Sequence, residues 1–368
     1  MGIQADMDPS VVLVETAKKR TQQGAYADAE NLLKKALALR SDLLGEDHEE
    51  TADIRTELAT LSINLQRFED ARRYLYQALR TYHRLFGSEH PSIAAVLSIL
   101  GVVCCRLGET EDAERLCISG LEMCRRVHTA SSPHTATAAL RLALVYFDAG
   151  RLSEAIVLYE EGLTVHEAQE TPEIDSIAAG YNNLAMVYCA QDRWDDAVIL
   201  LSKALHLGSL LPENSAVQSA TRIYLVYVRY RQGDHAVAES DLREVLPDLV
   251  ASHGPDFPFV LLGEELLFAT LFHSQRFEEA YGVLRRLPEK SGRVRGETHP
   301  ETASIYFGLG VVCTLLDRLD EAEVWHKKAL AIREQTLGKT HTSTVASYHH
   351  LTALYGEMEK RFREMGLL

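Results

Sequence analysis

The chain has 368 residues, with 38 Lys+Arg against 53 Asp+Glu for a net charge of −15, and it is 46% hydrophobic and 25% charged. These proportions suit a chain that builds a core and exclude disordered or collagen-like classes. So acidic a field repels phosphate backbones, which argues against a nucleic-acid partner, and no run reaches the roughly 20 apolar residues needed for membrane insertion.

Residues 1–9 are read as an N-terminal extension. They hold no basic region followed by an apolar one, and Asp6 stands where a myristoylation signal at Gly2 wants Ser or Thr. From residue 10 the text repeats. Ala29, Ala71, Ala113, Ala155, Ala197, Ala238, Ala280 and Ala322 follow one another at 42 residues, with a single interval of 41. A leucine stands 13 residues before each from Ala71 onward: Leu58, Leu100, Leu142, Leu184, Leu225, Leu267 and Leu309. A fixed period of this length denotes stacked structural repeats. The register gives eight repeats at 10–51, 52–93, 94–135, 136–177, 178–218, 219–260, 261–302 and 303–344, then a capping helix and tail at 345–368.

Within one period, apolar residues recur at three and four, as in residues 179–188 and again in 194–205, with the polar break Gln191-Asp192-Arg193 between them. Two short helices joined by so short a break pack antiparallel. Gly101, Ala143, Ala185 and Gly310 follow the repeated leucines, so side chains shrink where two helix backbones approach. The expected fold is an all-α solenoid of antiparallel helix pairs, closed by the capping helix. In the seventh repeat Leu287-Pro288 is expected to end the second helix early and leave Glu289 to Gly296 as a loop. Arg285, Arg286, Lys290, Arg293 and Arg295 make that loop a basic island, either solvated or a contact for an acidic partner segment.

The spacing Leu142-Ala143-x-x-Tyr146, repeated at Leu184-Ala185-x-x-Tyr188, with Ala155 and Ala197 nine residues on, resembles the tetratricopeptide repeat. The 42-residue period and a recurring Gly-x-x-His (Gly45 to His48, Gly87 to His90, Gly296 to His299, Gly338 to His341) resemble the cargo-binding repeats of kinesin light chains and related proteins such as nephrocystin-3. The resemblance implies a right-handed superhelical solenoid whose first helices line a concave groove. It also implies a cytoplasmic, cytoskeleton-associated adaptor.

Chemistry is hard to find. The Gly-x-x-His histidines belong to different repeats and are read as bonded to the turn entering the next helix; no metal site or cofactor is expected. Cys104, Cys117 and Cys313 fall at packing positions, and no phosphate-binding loop, GxGxxG, GxSxG or HExxH occurs, so the chain is not expected to be an enzyme. By resemblance, the groove positions carried onto this sequence are Arg106, Arg141, Leu144, Phe147, Asn182, Asn183, Met186, Tyr224, Tyr227, Tyr230, Arg231, Phe272 and His273, with Ser98, Cys189, Ile223, Glu265 and Leu266 beside them. The Leu-Asn-Asn-Leu-Ala of kinesin light chains survives once, at Asn182-Asn183. The stripe of tyrosines at 224, 227 and 230 is either groove or core. If it is groove, the expected partner is a protein or short linear peptide with an apolar or aromatic anchor flanked by acidic residues. The alternative is a structural subunit of a larger cytoskeletal or ciliary assembly that uses its outer surfaces.

Overall fold

The structure is a computed structural model that describes residues 8–22, 25–211 and 215–365; most of the expected extension at 1–9 and the last residues of the tail lie outside them. The chain divides into two units, residues 1–228 and 229–368.

The first unit pairs α1 (Pro9–Gln22) with α2 (Tyr26–Leu44), α3 (Glu49–Asn64) with α4 (Phe68–Phe86) and α5 (Pro91–Arg106) with α6 (Thr110–Val127). It continues with α7 (Pro133–Asp148) on α8 (Leu152–Glu167), α9 (Ile174–Ala190) on α10 (Trp194–Gly208), and α11 (Ala216–Arg231) up to residue 228. The second unit holds α12 (His235–His253), α13 (Pro258–His273), α14 (Phe277–Leu284), α15 (Leu287–Val294), α16 (Pro300–Leu315), α17 (Leu319–Leu337) and α18 (Thr342–Glu364). Both units are all-α, built from sequential antiparallel pairs in a solenoid-like arrangement.

The eight periodic alanines each have 0% of their surface exposed. They sit where the second helix lies against the first. A Cβ added at Gly101 would stand 2.8 Å from the Ala113 carbonyl oxygen, and one at Gly120 would stand 2.9 Å from the Ser98 nitrogen. Nothing larger fits at these crossings without moving a helix. The turn inside each pair is also periodic. Gly108, Gly150 and Gly233 adopt left-handed backbone there, and Gln66, Asp192, Gln275 and Asp317 adopt it without being glycine.

The Gly-x-x-His loop has two jobs. Gly45, Gly87, Gly254, Gly296 and Gly338 leave the second helix in the left-handed region. Three residues on, the Nδ1 atoms of His48, His90, His299 and His341 accept the amide N–H of Glu50, Ser92, Glu301 and Ser343, the work of an N-cap. Ser132 Oγ does the same for α7, while Phe257, at the start of α13, offers no side-chain cap.

One expectation fails. Residues 289–296 are not a loop, because α14 ends at Leu284 and the chain re-enters a helix, α15, at Leu287. Pro288 lies at the first helical positions of α15, where its missing N–H costs nothing. At the break Leu287 takes the position that Gly120, Gly162 and Ala204 hold in other repeats, against the first helix, and it is 1% exposed. Three of the five residues of the basic island are engaged within the chain. Lys290 binds Glu264, Arg293 binds Asp256 and Glu289, and Arg295 binds Glu265 and Glu301.

In the first unit successive first helices touch, α3 on α5, α5 on α7 and α7 on α9, while each second helix reaches the next repeat through that repeat's first helix. The first helices are therefore the more closely spaced layer, the side toward which a stack of wedges curves.

Position 326 is exceptional. Leu33, Leu75, Cys117, Tyr159, Leu201, Leu242 and Leu284 fill it in the other repeats, whereas here it is His326, 1% exposed and packed on Gly310. Burial first, then His350 and Arg333, hold its pKa down from 6.5 to about 4. The unfolded chain therefore takes up a proton between these values that the folded chain refuses, so stability present above 6.5 is lost as pH falls toward about 4. His326→Leu should flatten this acid limb in melting curves recorded from pH 7 to 4. Leu184, 3% exposed, should cost about 2–5 kcal/mol when cut to alanine, measured by urea unfolding.

Candidate functional site

The first-helix face of the first unit carries half-buried Leu144, Phe147, Asn183, Met186, Tyr224 and Tyr227. Tyr146 and Tyr188, four residues after the repeated leucines, belong to the turns instead: the guanidinium groups of Arg151 and Arg193 lie over their rings at 3.9 and 4.1 Å. Leu140, Phe147, Met186, Tyr224 and Tyr227 pack on the core cluster of Tyr159, Leu184 and Leu201 while keeping part of their surface. Tyr224 and Tyr227 thus contribute to both core and surface, as an amphipathic side chain can.

Several positions assigned to the groove are instead buried. Ser98 and Ile223 are 0% exposed, Asn182 3%, Cys189 4% and Leu266 6%. Ser98 is covered because Gly120 lets α6 close over it. Asn182 is used structurally: its Oδ1 accepts the Thr221 hydroxyl at 3.0 Å and its Nδ2 donates to the Val217 carbonyl at 3.4 Å, so it ties α9 to α11.

The arginines differ in their surroundings. Arg106 is exposed and binds Asp148 at 2.9 Å. Arg141 lies deeper, donates to Ser98 Oγ at 3.0 Å, and lines a cavity of about 280 Å³ with His128, His134 and Thr137. Neither imidazole was singled out from sequence. The available signal was Arg141 itself, which stands 42 residues before Asn183 and so puts a cation where the kinesin light chain pattern has an amide.

In the second unit, Tyr230 OH lies 3.1 Å from His273 Nδ1, and the two rings meet edge to face with centroids 5.5 Å apart. His235 joins them, stacked on His273 at 5.2 Å. Phe272 packs edge-on against Phe277 at 5.5 Å, Arg231 is exposed, and Glu265 is held by Arg295.

All six cysteines are free thiols, and burial pushes Cys104 and Cys313 up to about 11 and Cys105 and Cys117 up to about 12. Among the described residues no group of three or more His, Cys, Asp or Glu could hold a metal ion, and no helix is long and apolar enough to cross a membrane.

A family model described as tetratricopeptide repeat matches residues 20–82, 53–116, 92–168, 176–248, 266–335 and 309–364. No curated protein matches the chain in sequence. Among solved structures, BtubC (BKLC) from P. vanneervenii is 19% identical at a TM-score of 0.52, with 62% of this chain and 92% of that one covered. A chain of the APC/C hetero-tetramer Cut9-Hcn1 is 13% identical at a TM-score of 0.62, with 93% of this chain and 55% of that one covered. The nearly identical TPR-like repeats of a putative kinesin light chain from Podosopora anserina are 20% identical at a TM-score of 0.45, with 56% and 98% covered. At these identities the first two likenesses are of fold.

The two neighbouring asparagines should separate in their effects. Asn182→Ala should lower stability by about 1–3 kcal/mol, since it strips the buried link between α9 and α11. Asn183→Ala should stay within about 0.5 kcal/mol, both read from urea unfolding of the full chain.

Proposed function

Because the chain belongs to the tetratricopeptide repeat family, whose repeats mediate protein–protein interactions, we propose that it is a non-catalytic adaptor that holds a peptide segment of a partner protein on its first-helix face. One observation carries this. The first-helix face of the first unit combines partly exposed aromatic and aliphatic side chains (Phe147, Met186, Tyr224, Tyr227) with Arg106 and Arg141, the composition of binding hot spots. The partner segment has an apolar or aromatic anchor for the Phe147 and Met186 region, with carboxylates beside it for the arginines. In the second unit, Arg231, Phe272, His273 and Tyr230 offer similar chemistry. Thiols held neutral near pH 7 support the absence of a nucleophilic role.

A kinesin light chain-like cargo or cytoskeletal adaptor in the cytoplasm is the finer version of this role. Its support is the 42-residue repeat with the Gly-x-x-His loop. The single Asn-Asn pair, with Asn182 consumed by Thr221, argues for a ligand held differently from theirs. The alternative, a structural subunit that docks through its outer surfaces, is favoured by Val157 and Ile199, 61% and 56% exposed at equivalent positions of α8 and α10.

Pull-down from native extract followed by mass spectrometry tests the two against each other. The double variant Arg106→Glu, Tyr227→Ala should lose the partners that the unchanged chain retains, with its circular dichroism intact. If it keeps them while Val157→Glu with Ile199→Glu loses them, the outer surface is the docking face.

A further inference from the structure

We propose that the cavity enclosed by α5, the end of α6 and the start of α7 is a binding site for a phosphoryl group, with Arg141 as its principal ligand. The site deepens the adaptor role, since Arg141 stands on the same first-helix face.

The first observation is an unmatched, half-buried cation. The other deeply placed arginines are all satisfied by protein. Arg40 meets Asp8 and Glu50, at 2.9 and 2.8 Å. Arg55 meets Glu46, and Arg295 meets Glu265 and Glu301. Arg333 has no carboxylate but donates to the Ser343 carbonyl, Ser347 Oγ and Ser304 Oγ, at 3.0, 2.8 and 3.2 Å. Arg141 has one protein acceptor, Ser98 Oγ at 3.0 Å, and among the described residues no carboxylate pairs with it. A guanidinium carries five N–H donors, and leaving it desolvated without an anion costs several kcal/mol. Burial accordingly lowers the Arg141 pKa; at Arg295 burial acts in the same direction, but the hydrogen bond and charge of Glu265 carry the net shift upward.

The second observation is the company Arg141 keeps. The cavity of about 280 Å³ is lined by His128, His134, Ser92, Ser98 and Thr137, and by no Asp or Glu. The rings of His128 and His134 stand 4.7 Å apart and line the same cavity, so two imidazoles able to donate N–H bonds accompany one guanidinium. Ser98 Oγ already gives its proton to the Ala95 carbonyl at 2.9 Å, so it orients Arg141 and leaves ligand binding to the guanidinium, the imidazoles and Ser92. On a chain of net charge −15, a carboxylate-free pocket around a guanidinium with no carboxylate partner favours an anion. A phosphoryl group also presents several acceptor oxygens in a tetrahedron, enough to take the flat fork of Arg141 on one side and the imidazoles on another. A single carboxylate can meet the fork of Arg141, but its two oxygens lie in one plane and leave no further oxygen for the imidazoles. The group is carried either by phosphoserine or phosphothreonine of a partner segment or by free phosphate.

Isothermal titration of the full chain with inorganic phosphate, at constant ionic strength against chloride, tests the site without any partner. Saturable binding to one site is expected. Arg141→Gln, which keeps a polar side chain without the charge, should weaken it by roughly tenfold or more. His134→Gln, at an exposed position, should weaken it several-fold with circular dichroism unchanged, and it serves as the test should Arg141→Gln fail to fold. No saturable heat with the unchanged chain, or equal affinity in both variants, would overturn the proposal. Phosphoserine peptides binding more tightly than phosphate, while their unphosphorylated counterparts do not bind, identify a partner segment as the source. Equal affinity for phosphate and phosphopeptides identifies free phosphate, and either result sustains the site. Loss of the adaptor role in the pull-down leaves this titration untouched, so the two can fail separately.

Discussion

The structure depends on how closely two helix backbones can approach inside a pair. Eight alanines with no exposed surface set that distance, and Gly101, Gly120 and Gly310 deepen it where a Cβ would strike a backbone or ring atom. The intra-pair turns, the seating of each leucine and the touching of successive first helices follow from it. In the seventh repeat Leu287 replaces a small residue and the second helix becomes α14 and α15, whereas Val245 at the equivalent position leaves α12 continuous. Solenoid stability is a sum of such pairs and the interfaces between them, so the effect of one defect remains local.

The period was legible because a methyl side chain at fixed intervals leaves a mark in the letters. The caps were legible for the same reason, as glycine must relieve a left-handed backbone and a side-chain acceptor must follow it. Exposure on the first-helix face was not. Ser98, Asn182 and Ile223 lie within two residues of a repeated leucine, and whether such a position sees solvent is decided by how the neighbouring helices sit against it. Gly120 settles it for Ser98 and Thr221 settles it for Asn182, from residues 22 and 39 positions away. Proline was misjudged at Pro288 because its two effects, ending one helix and starting another, look alike in sequence. His326 was overlooked because histidine reads as polar, although its register position is apolar in every other repeat.

Charge is distributed with the same regularity. Arg67 binds Glu30, Arg151 binds Glu114 and Arg276 binds Glu239, each pair 37 residues apart, and Arg84 with Asp47, Arg126 with Glu89 and Arg293 with Asp256 repeat that separation. Each pair joins one repeat to the next. Much of this cation content is therefore already engaged with carboxylates, whereas Arg141 has a single protein acceptor, Ser98 Oγ.

These bridges are exposed, so each contributes little to folding and is weakened by salt. Because they cross the seams between repeats and not the interiors, dissolved ions screen the seams within each unit and leave the apolar contacts inside each helix pair as they are.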